Sequence, residues 1–268
     1  MFDLDAYFQR IGYAGSREPS LATLRALQCR HPLAIAFENL DTLAGRPVQL
    51  DLDSLQQKLV HGRRGGYCFE HNSLFWQVLT ELGFDVTALS ARVVWERPAN
   101  EVRARTHMLL LVKLPEGDYL SDVGFGGLTP TAPLLLESHA EQPTPHETFR
   151  VLRLASDVAV EARVRGEWKP LYRFDLQPQA AVDIELLNFF VVGHPDSPMR
   201  GRLVAARAAP DRRYALRNGM LAAYHLNGTQ EQRQLTSVAE LRGVLTGTFG
   251  IRVPSGVELD GLFGRLLA

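Results

Sequence analysis

A change of hydrophobic period near residue 84 constrains this chain more than any other feature. Before it, apolar residues recur at helical spacing. Leu4, Tyr7, Phe8 and Ile11 follow i, i+3, i+4, i+7, and Leu21, Leu24 and Leu27 repeat the pattern after Pro19-Ser20, with Ser20 placed to cap the helix. Two helices are therefore expected ahead of Glu38, a third after Asp53 through Leu55 and Leu59, and a fourth from Cys68 through Leu74, Phe75, Val78 and Leu79 to a stop at Gly83. From Val86 the period becomes two: Leu89, Ala91, Val93 and Trp95 share one face, and Met108 to Val112 is an unbroken apolar run, as in a strand covered on both sides. Helices first and strands afterwards predict an α+β chain.

Further strands are expected at residues 149–154, 158–164 and 168–174. Pro130, Pro133, Pro143 and Pro145 mark a loop-rich crossing of the surface between them and the earlier strands. After Asn188 the signals are strands and turns, with Asn218-Gly219 and Asn227-Gly228 as hairpin turns, followed by helices near Val238 to Phe249 and Leu259 to Leu267.

Composition matters here for what it excludes. The formal net charge is −1 and the arginines are dispersed, so there is no electrostatic footprint for nucleic acid or an anionic membrane, and small-molecule partners are favoured. The longest apolar runs are far too short to span a bilayer, which makes a cytoplasmic location the default expectation. Cys29 and Cys68 are the two cysteines and lie in unlike contexts, which argues against a disulfide framework or a cysteine-based zinc site; no metal is expected. Cys29 sits late in an amphipathic helix and reads as packing.

Cys68 has a different setting. It joins a glycine turn to an apolar helix in Arg64-Gly65-Gly66-Tyr67-Cys68-Phe69-Glu70, where glycines permit close backbone approach and the unsatisfied N–H groups of a helix start favour a thiolate. A nucleophilic cysteine needs a base, and the base needs an acceptor that orients it. His107 follows 39 residues later and Asp122 another 15 on, and a hairpin through Pro115-Glu116-Gly117 would bring these two together on adjacent strands. His71, three residues beyond Cys68 on the same helix, is the rival histidine; it is expected to stabilise the thiolate or face solvent. Arg64 and Glu38 are expected to form a charged pair that ties the cysteine turn to the Phe37 loop, with Glu70 in a similar structural role. A thiolate–imidazolium pair would depress the thiol pKa.

The heptapeptide 64–70 with Asn72 resembles the signature of the arylamine N-acetyltransferases. Ala36-Phe37-Glu38-Asn39-Leu40-Asp41, Arg105-Thr106-His107 and the Asp122 to Gly126 element resemble further motifs of that family in the same order, and weaker likeness continues through Leu171 to Leu176, Asn188-Phe189 and His194-Pro195. The resemblance implies a helical N-terminal unit (residues 1–84), a β-barrel-like middle (85–187) and a C-terminal α/β lid (188–268), with a core similar to papain-like and transglutaminase-like cysteine enzymes. It implies Cys68 as nucleophile, His107 as base and Asp122 as its orienting acid. Acetyl-CoA is implied as cosubstrate with no tightly bound cofactor, small aromatic amines or hydrazines as acceptors, and a monomer or homodimer as the assembly. Phe37, Val93, Thr106 and Phe125 resemble acceptor-pocket positions. The turn from Gly124 to Gly127 lacks the Lys-Ser/Thr ending of a nucleotide-triphosphate loop, yet Gly126 and Gly127 could offer backbone N–H groups to the coenzyme A pyrophosphate. Two positions depart from the family pattern: His71, and Met199 in Ser197-Pro198-Met199, where an aromatic is frequent. The alternative reading is a cysteine hydrolase, transglutaminase-like enzyme or amide synthase using the same three residues.

Overall fold

The computed structural model describes residues 2–98, 101–197 and 199–267. The first part forms α1 (Leu4–Ile11), α2 (Leu21–Ala34), the strand β1 (Phe37–Glu38), α3 (Leu40–Leu43), α4 (Leu52–Leu55) running into a π turn (Gln56–His61), and α5 (Cys68–Glu81). Ser20 caps α2 by accepting the Thr23 N–H, and Asp3 does the same for α1 with Ala6. Gly83 adopts a left-handed φ of +84° and stops α5 as expected. The four-residue α3 was not expected, since one turn is too short to display a period.

Then come β2 (Asp85–Val93), β3 (His107–Leu114), β4 (Gly117–Ser121), β5 (Leu134–Leu135), β6 (Gln142–Pro143), β7 (Thr148–Arg153), β8 (Val158–Val164) and β9 (Glu167–Phe174). They make one antiparallel sheet in the order β5-β4-β3-β2-β9-β8-β7-β6. The sheet curls until β5 lies against β7, and the Gln142 amide links its two ends: it accepts the Leu135 N–H at 2.7 Å and donates to the Leu135 carbonyl at 3.0 Å. The result is a nearly closed barrel. The proline-rich stretch 130–145 is the expected crossing, and its two short strands bring the closure about.

Strand β3 lacks alternation because both its faces are covered. Met108, Leu110 and Val112 enter a core shared with Leu74, Phe75 and Val78 of α5, while Leu109 and Leu111 enter the barrel with Leu171 and Tyr172. That parity turns His107 toward the barrel side.

Helix α6 (Ala181–Gly193) has no counterpart among the expected elements. It buries Ile184, Asn188 and Val191 yet leaves Val182, Leu186 and Phe189 exposed, so its apolar residues encircle it and show no stripe. Beyond it lie β10 (Val204–Ala209), β11 (Arg212–Arg217), β12 (Met220–His225), β13 (Gln230–Gln234), α7 (Val238–Gly247) and α8 (Val257–Leu267). The second sheet, β1-β10-β11-β12-β13, packs Ala205 and Leu216 against Leu241, Leu245, Phe249 and Phe263 of the last two helices and their connection. Its edge is β1, with Phe37 opposite Ala206, so a strand from the helical part completes the C-terminal sheet. Among the described residues no helix is long and apolar enough to cross a membrane.

Candidate active site

Helix α5 begins at Cys68 because several interactions hold its first turn. Glu70 accepts the Tyr67 N–H at 3.1 Å, half of a capping box, and its other oxygen receives the Lys58 ammonium at 2.6 Å. Lys58 also meets Asp41 at 2.6 Å, while Arg64 binds Glu38 at 2.7 Å and Asp41 at 3.1 Å. Charges this deeply placed are tolerable only when mutually paired. Burial opposes the charged forms of Lys58 and Arg64, but the surrounding carboxylates prevail and raise both; burial raises Glu70 as well, against the pull of Lys58. The Arg64–Glu38 pair and the structural role of Glu70 match the sequence expectation. Lys58 was not foreseen, because a π turn presents it and leaves no spacing signature. Gly65 is obligatory here: a Cβ would lie 2.0 Å from the Ala36 carbonyl oxygen.

The expected hairpin is present, with Leu114 opposite Gly117 and Leu110 opposite Ser121. Extending this register beyond the strand ends sets Asp122 diagonally across from His107 on the same face. The His107 Nε2–H donates to Asp122 Oδ2 at 2.7 Å, which leaves Nδ1 as the nitrogen available to a thiol. The other oxygen of Asp122 accepts from Asn72 Nδ2 (3.0 Å) and the Gly124 N–H (2.9 Å). Asn72 is itself held, donating to the Met108 carbonyl at 2.7 Å and accepting the Val123 N–H at 3.0 Å. The Cys68 thiol donates to the Thr106 carbonyl at 3.5 Å, one residue from His107.

Cys68, His107 and Asp122 are all buried. Burial disfavours the His107 imidazolium, but the charge and hydrogen bond of Asp122, helped by Cys68, push it up to about 10. Asp122 is lowered: burial works against the carboxylate, and His107, Asn72 and the Gly124 N–H outweigh it. These contacts favour the charged forms of both His107 and Asp122, the imidazolium arising when Nδ1 takes up a proton. Two neighbours were given no role from the sequence. Asn72 was noted only beside the heptapeptide, although the i, i+4 spacing puts it on the face of Cys68. Tyr172 could not have been singled out: its buried ring lies with its centroid 4.9 Å from that of His107, a contact between strands distant in sequence.

A cavity of about 940 Å³ opens over these groups. Phe37, Cys68, Val93, Thr106, His107, Phe125 and Gly127 all line it, and Met199 joins them. Pro198 lies outside the described residues. Asp122 is not a lining residue but supports His107 from behind. Gly126 lies outside the lining too, and its N–H is committed to Thr129 Oγ1 at 2.8 Å. Gly124 approaches α5 so closely that a Cβ would meet Cys68 Cα at 2.9 Å. Further out the walls carry Arg97, Arg103, Arg163, Arg165 and Lys169. Among the described residues no cluster of three His, Cys, Asp or Glu side chains is placed to hold a metal ion.

His71 neither faces solvent nor serves the thiolate. It is buried, with His31 Nε2 2.8 Å from its Nδ1 and the Ala36 carbonyl 3.2 Å from its Nε2, because the inner face of α5 points into the bundle of α1 and α2. Burial, with no carboxylate in contact, lowers His71 to about 4 and His31 well below its usual value; Arg10 adds to the effect on His31, while Glu38 and Lys58 act on His71 in opposite senses. Unfolding releases both rings to an ordinary pKa of about 6.5. Between there and pH 4 the unfolded chain therefore binds a proton at position 71 that the folded chain refuses, which removes about 1.4 kcal/mol of stability per pH unit of acidification, and His31 acts in the same direction. The raised His107 has the opposite sign: its contribution is complete below pH 6.5 and fades as pH rises toward 10. Urea midpoints measured against pH should peak near neutrality, and His71→Gln should flatten the acid limb by roughly one proton; an unchanged limb would show that His71 is charged in the fold.

A family model described as N-acetyltransferase matches residues 20–257. The chain is 45% identical to the arylamine N-acetyltransferase of Mycolicibacterium smegmatis, over 98% of this chain and 94% of that one. The arylamine N-acetyltransferase of Mycobacterium marinum superposes with a TM-score of 0.96 at 41% identity, covering 99% of this chain and all of that one. Its complex with CoA superposes at 0.94, with 42% identity over 98% of this chain and 99% of the other. The chain belongs to the arylamine N-acetyltransferase family.

Proposed function

We propose that this protein transfers an acetyl group from acetyl-CoA, through a thioester on Cys68, to the nitrogen of an aromatic amine or hydrazine. The observation that carries the reading is the buried His107–Asp122 pair, whose remaining ring nitrogen is left for Cys68 on the floor of an open cleft. Cys68 passes its proton to His107 Nδ1 and its Sγ attacks the thioester carbonyl; the S–C bond to coenzyme A breaks, and the departing thiolate collects that proton from His107. The N–H of Cys68, first in α5 and without an intrahelical acceptor, is our candidate donor to the oxyanion. In the second step the amine attacks the acetyl-cysteine, His107 Nδ1 takes its proton, and the Cys68 thiolate leaves. Asp122 keeps the ring oriented through both.

Phe37, Val93, Thr106 and Phe125 suit a flat aromatic acceptor. Coenzyme A phosphates suit the cationic walls and the Gly127 backbone, and the M. marinum relative is known in complex with CoA. Incubation with acetyl-CoA and no acceptor should add one acetyl group to the intact mass, located on Cys68, with release of one coenzyme A. No adduct and no release would overturn the transferase in favour of a cysteine hydrolase.

A further inference from the structure

A chain of buried polar groups runs through the helical part and ends at the wall of the cleft. The Tyr7 hydroxyl of α1 lies 2.9 Å from His31 Nδ1 of α2, His31 Nε2 lies 2.8 Å from His71 Nδ1 of α5, and His71 Nε2 lies 3.2 Å from the carbonyl of Ala36. All four residues are essentially inaccessible to solvent. The terminal carbonyl can only accept, and this sets every proton: His71 donates from Nε2, so its Nδ1 accepts from His31 Nε2–H, whose Nδ1 accepts from the Tyr7 hydroxyl. Both rings are neutral and every polar atom in them is satisfied, so the chain has one stable direction.

Its far end is where function enters. Ala36 precedes Phe37, whose ring lies parallel to His71, 2° between planes and 6.3 Å between centroids. Phe37 also adjoins Gly126, where a Cβ would come within 3.6 Å of the ring. Phe37 lines the cavity with Cys68, and its strand is paired to Gly66 of the cysteine turn. A side chain one turn along the helix from Cys68 thus sets both the backbone and the ring of a wall residue.

We infer that His71 is a positioning residue for the acceptor half-reaction, holding Phe37 in place through the Ala36 carbonyl with His31 and Tyr7 behind it. The inference rests on the transferase reading above. An acetyl group offers the wall little more than a methyl, whereas an arylamine offers a ring face, so displacement of Phe37 is felt when the amine binds and not when Cys68 is acylated.

Two variants separate the roles of the ring nitrogens. In His71→Asn the amide oxygen replaces Nδ1 and still accepts from His31, but no donor reaches Ala36. In His71→Gln the amide nitrogen stands where Nε2 did and restores that donor. Acylation of Cys68 by acetyl-CoA is followed by rapid-quench intact mass, and steady-state transfer is followed with aniline and with hydrazine, which has no ring. His71→Asn should lower kcat/KM for aniline about 10-fold, chiefly through KM, and leave acylation and transfer to hydrazine within about 2-fold. His71→Gln should recover most of the aniline value. Equal losses in acylation, aniline and hydrazine, no loss at all, or failure of glutamine to recover the aniline value would overturn the inference and leave the transferase intact. Absence of an acetyl adduct on the unsubstituted protein would overturn both.

Discussion

Asp122→Asn is expected to lower kcat/KM on the order of 10⁴-fold, the scale seen when a catalytic imidazole is held in the wrong tautomer. The carboxylate receives donors on both oxygens: His107 on one, Asn72 Nδ2 and the Gly124 N–H on the other. An amide has a single oxygen. If that oxygen faces Asn72 and Gly124, the NH₂ faces His107 Nε2 and forces the ring proton onto Nδ1, where it opposes the thiol instead of accepting from it. If the oxygen faces His107, the NH₂ meets two other donors. Asn72 cannot turn over to relieve this, since it would lose the Met108 carbonyl and the Val123 N–H together. Urea titration establishes that the variant is folded, and rapid-quench mass measurement gives the rate of Cys68 acetylation. Acetylation within 10-fold of the unsubstituted rate would remove Asp122 from the reaction.

Cys68→Ala is expected to abolish acetyl transfer and the covalent adduct, leaving no more than background. The fold should persist. The thiol's hydrogen bond to the Thr106 carbonyl is weak, and the helix start is held independently by Glu70, Lys58 and Arg64. Losing one sulfur from a buried site costs about 1 kcal/mol, visible as a small shift of the urea midpoint. The cleft keeps its shape, so acetyl-CoA should still bind; equilibrium dialysis with labelled acetyl-CoA separates a lost nucleophile from a lost site. Residual turnover dependent on His107 would show that the acetyl group passes directly to the amine.

Much of this site was legible in the residues because its parts lie on regular elements. A glycine turn before an apolar helix located Cys68, and a short hairpin with one histidine at its entrance and one aspartate at its exit located the other two; β pairing has a fixed period, so the hairpin carried them to one face. The Arg64–Glu38 pair followed from charges flanking the same turn. Helix α6 escaped notice because its apolar residues surround it, and yet its Asn188 receives the Tyr67 hydroxyl next to Cys68. Lys58 escaped because a π turn has no characteristic spacing.

His71 shows where local reading stops. Spacing along α5 placed it near Cys68, which is correct in distance along the helix, but not in the direction its ring nitrogens take. Period, capping and turn chemistry act between residues close in sequence, and they sufficed for the α+β order, the thiol at a helix start and the histidine–aspartate hairpin. Which buried groups meet depends on how the helices pack, and that packing alone joined Tyr7, His31 and His71 to Ala36 and drew β1 into the C-terminal sheet. Hydrogen bonds and dispersion act over a few ångströms in space whatever the separation along the chain, so these partnerships exist only once the tertiary structure has formed.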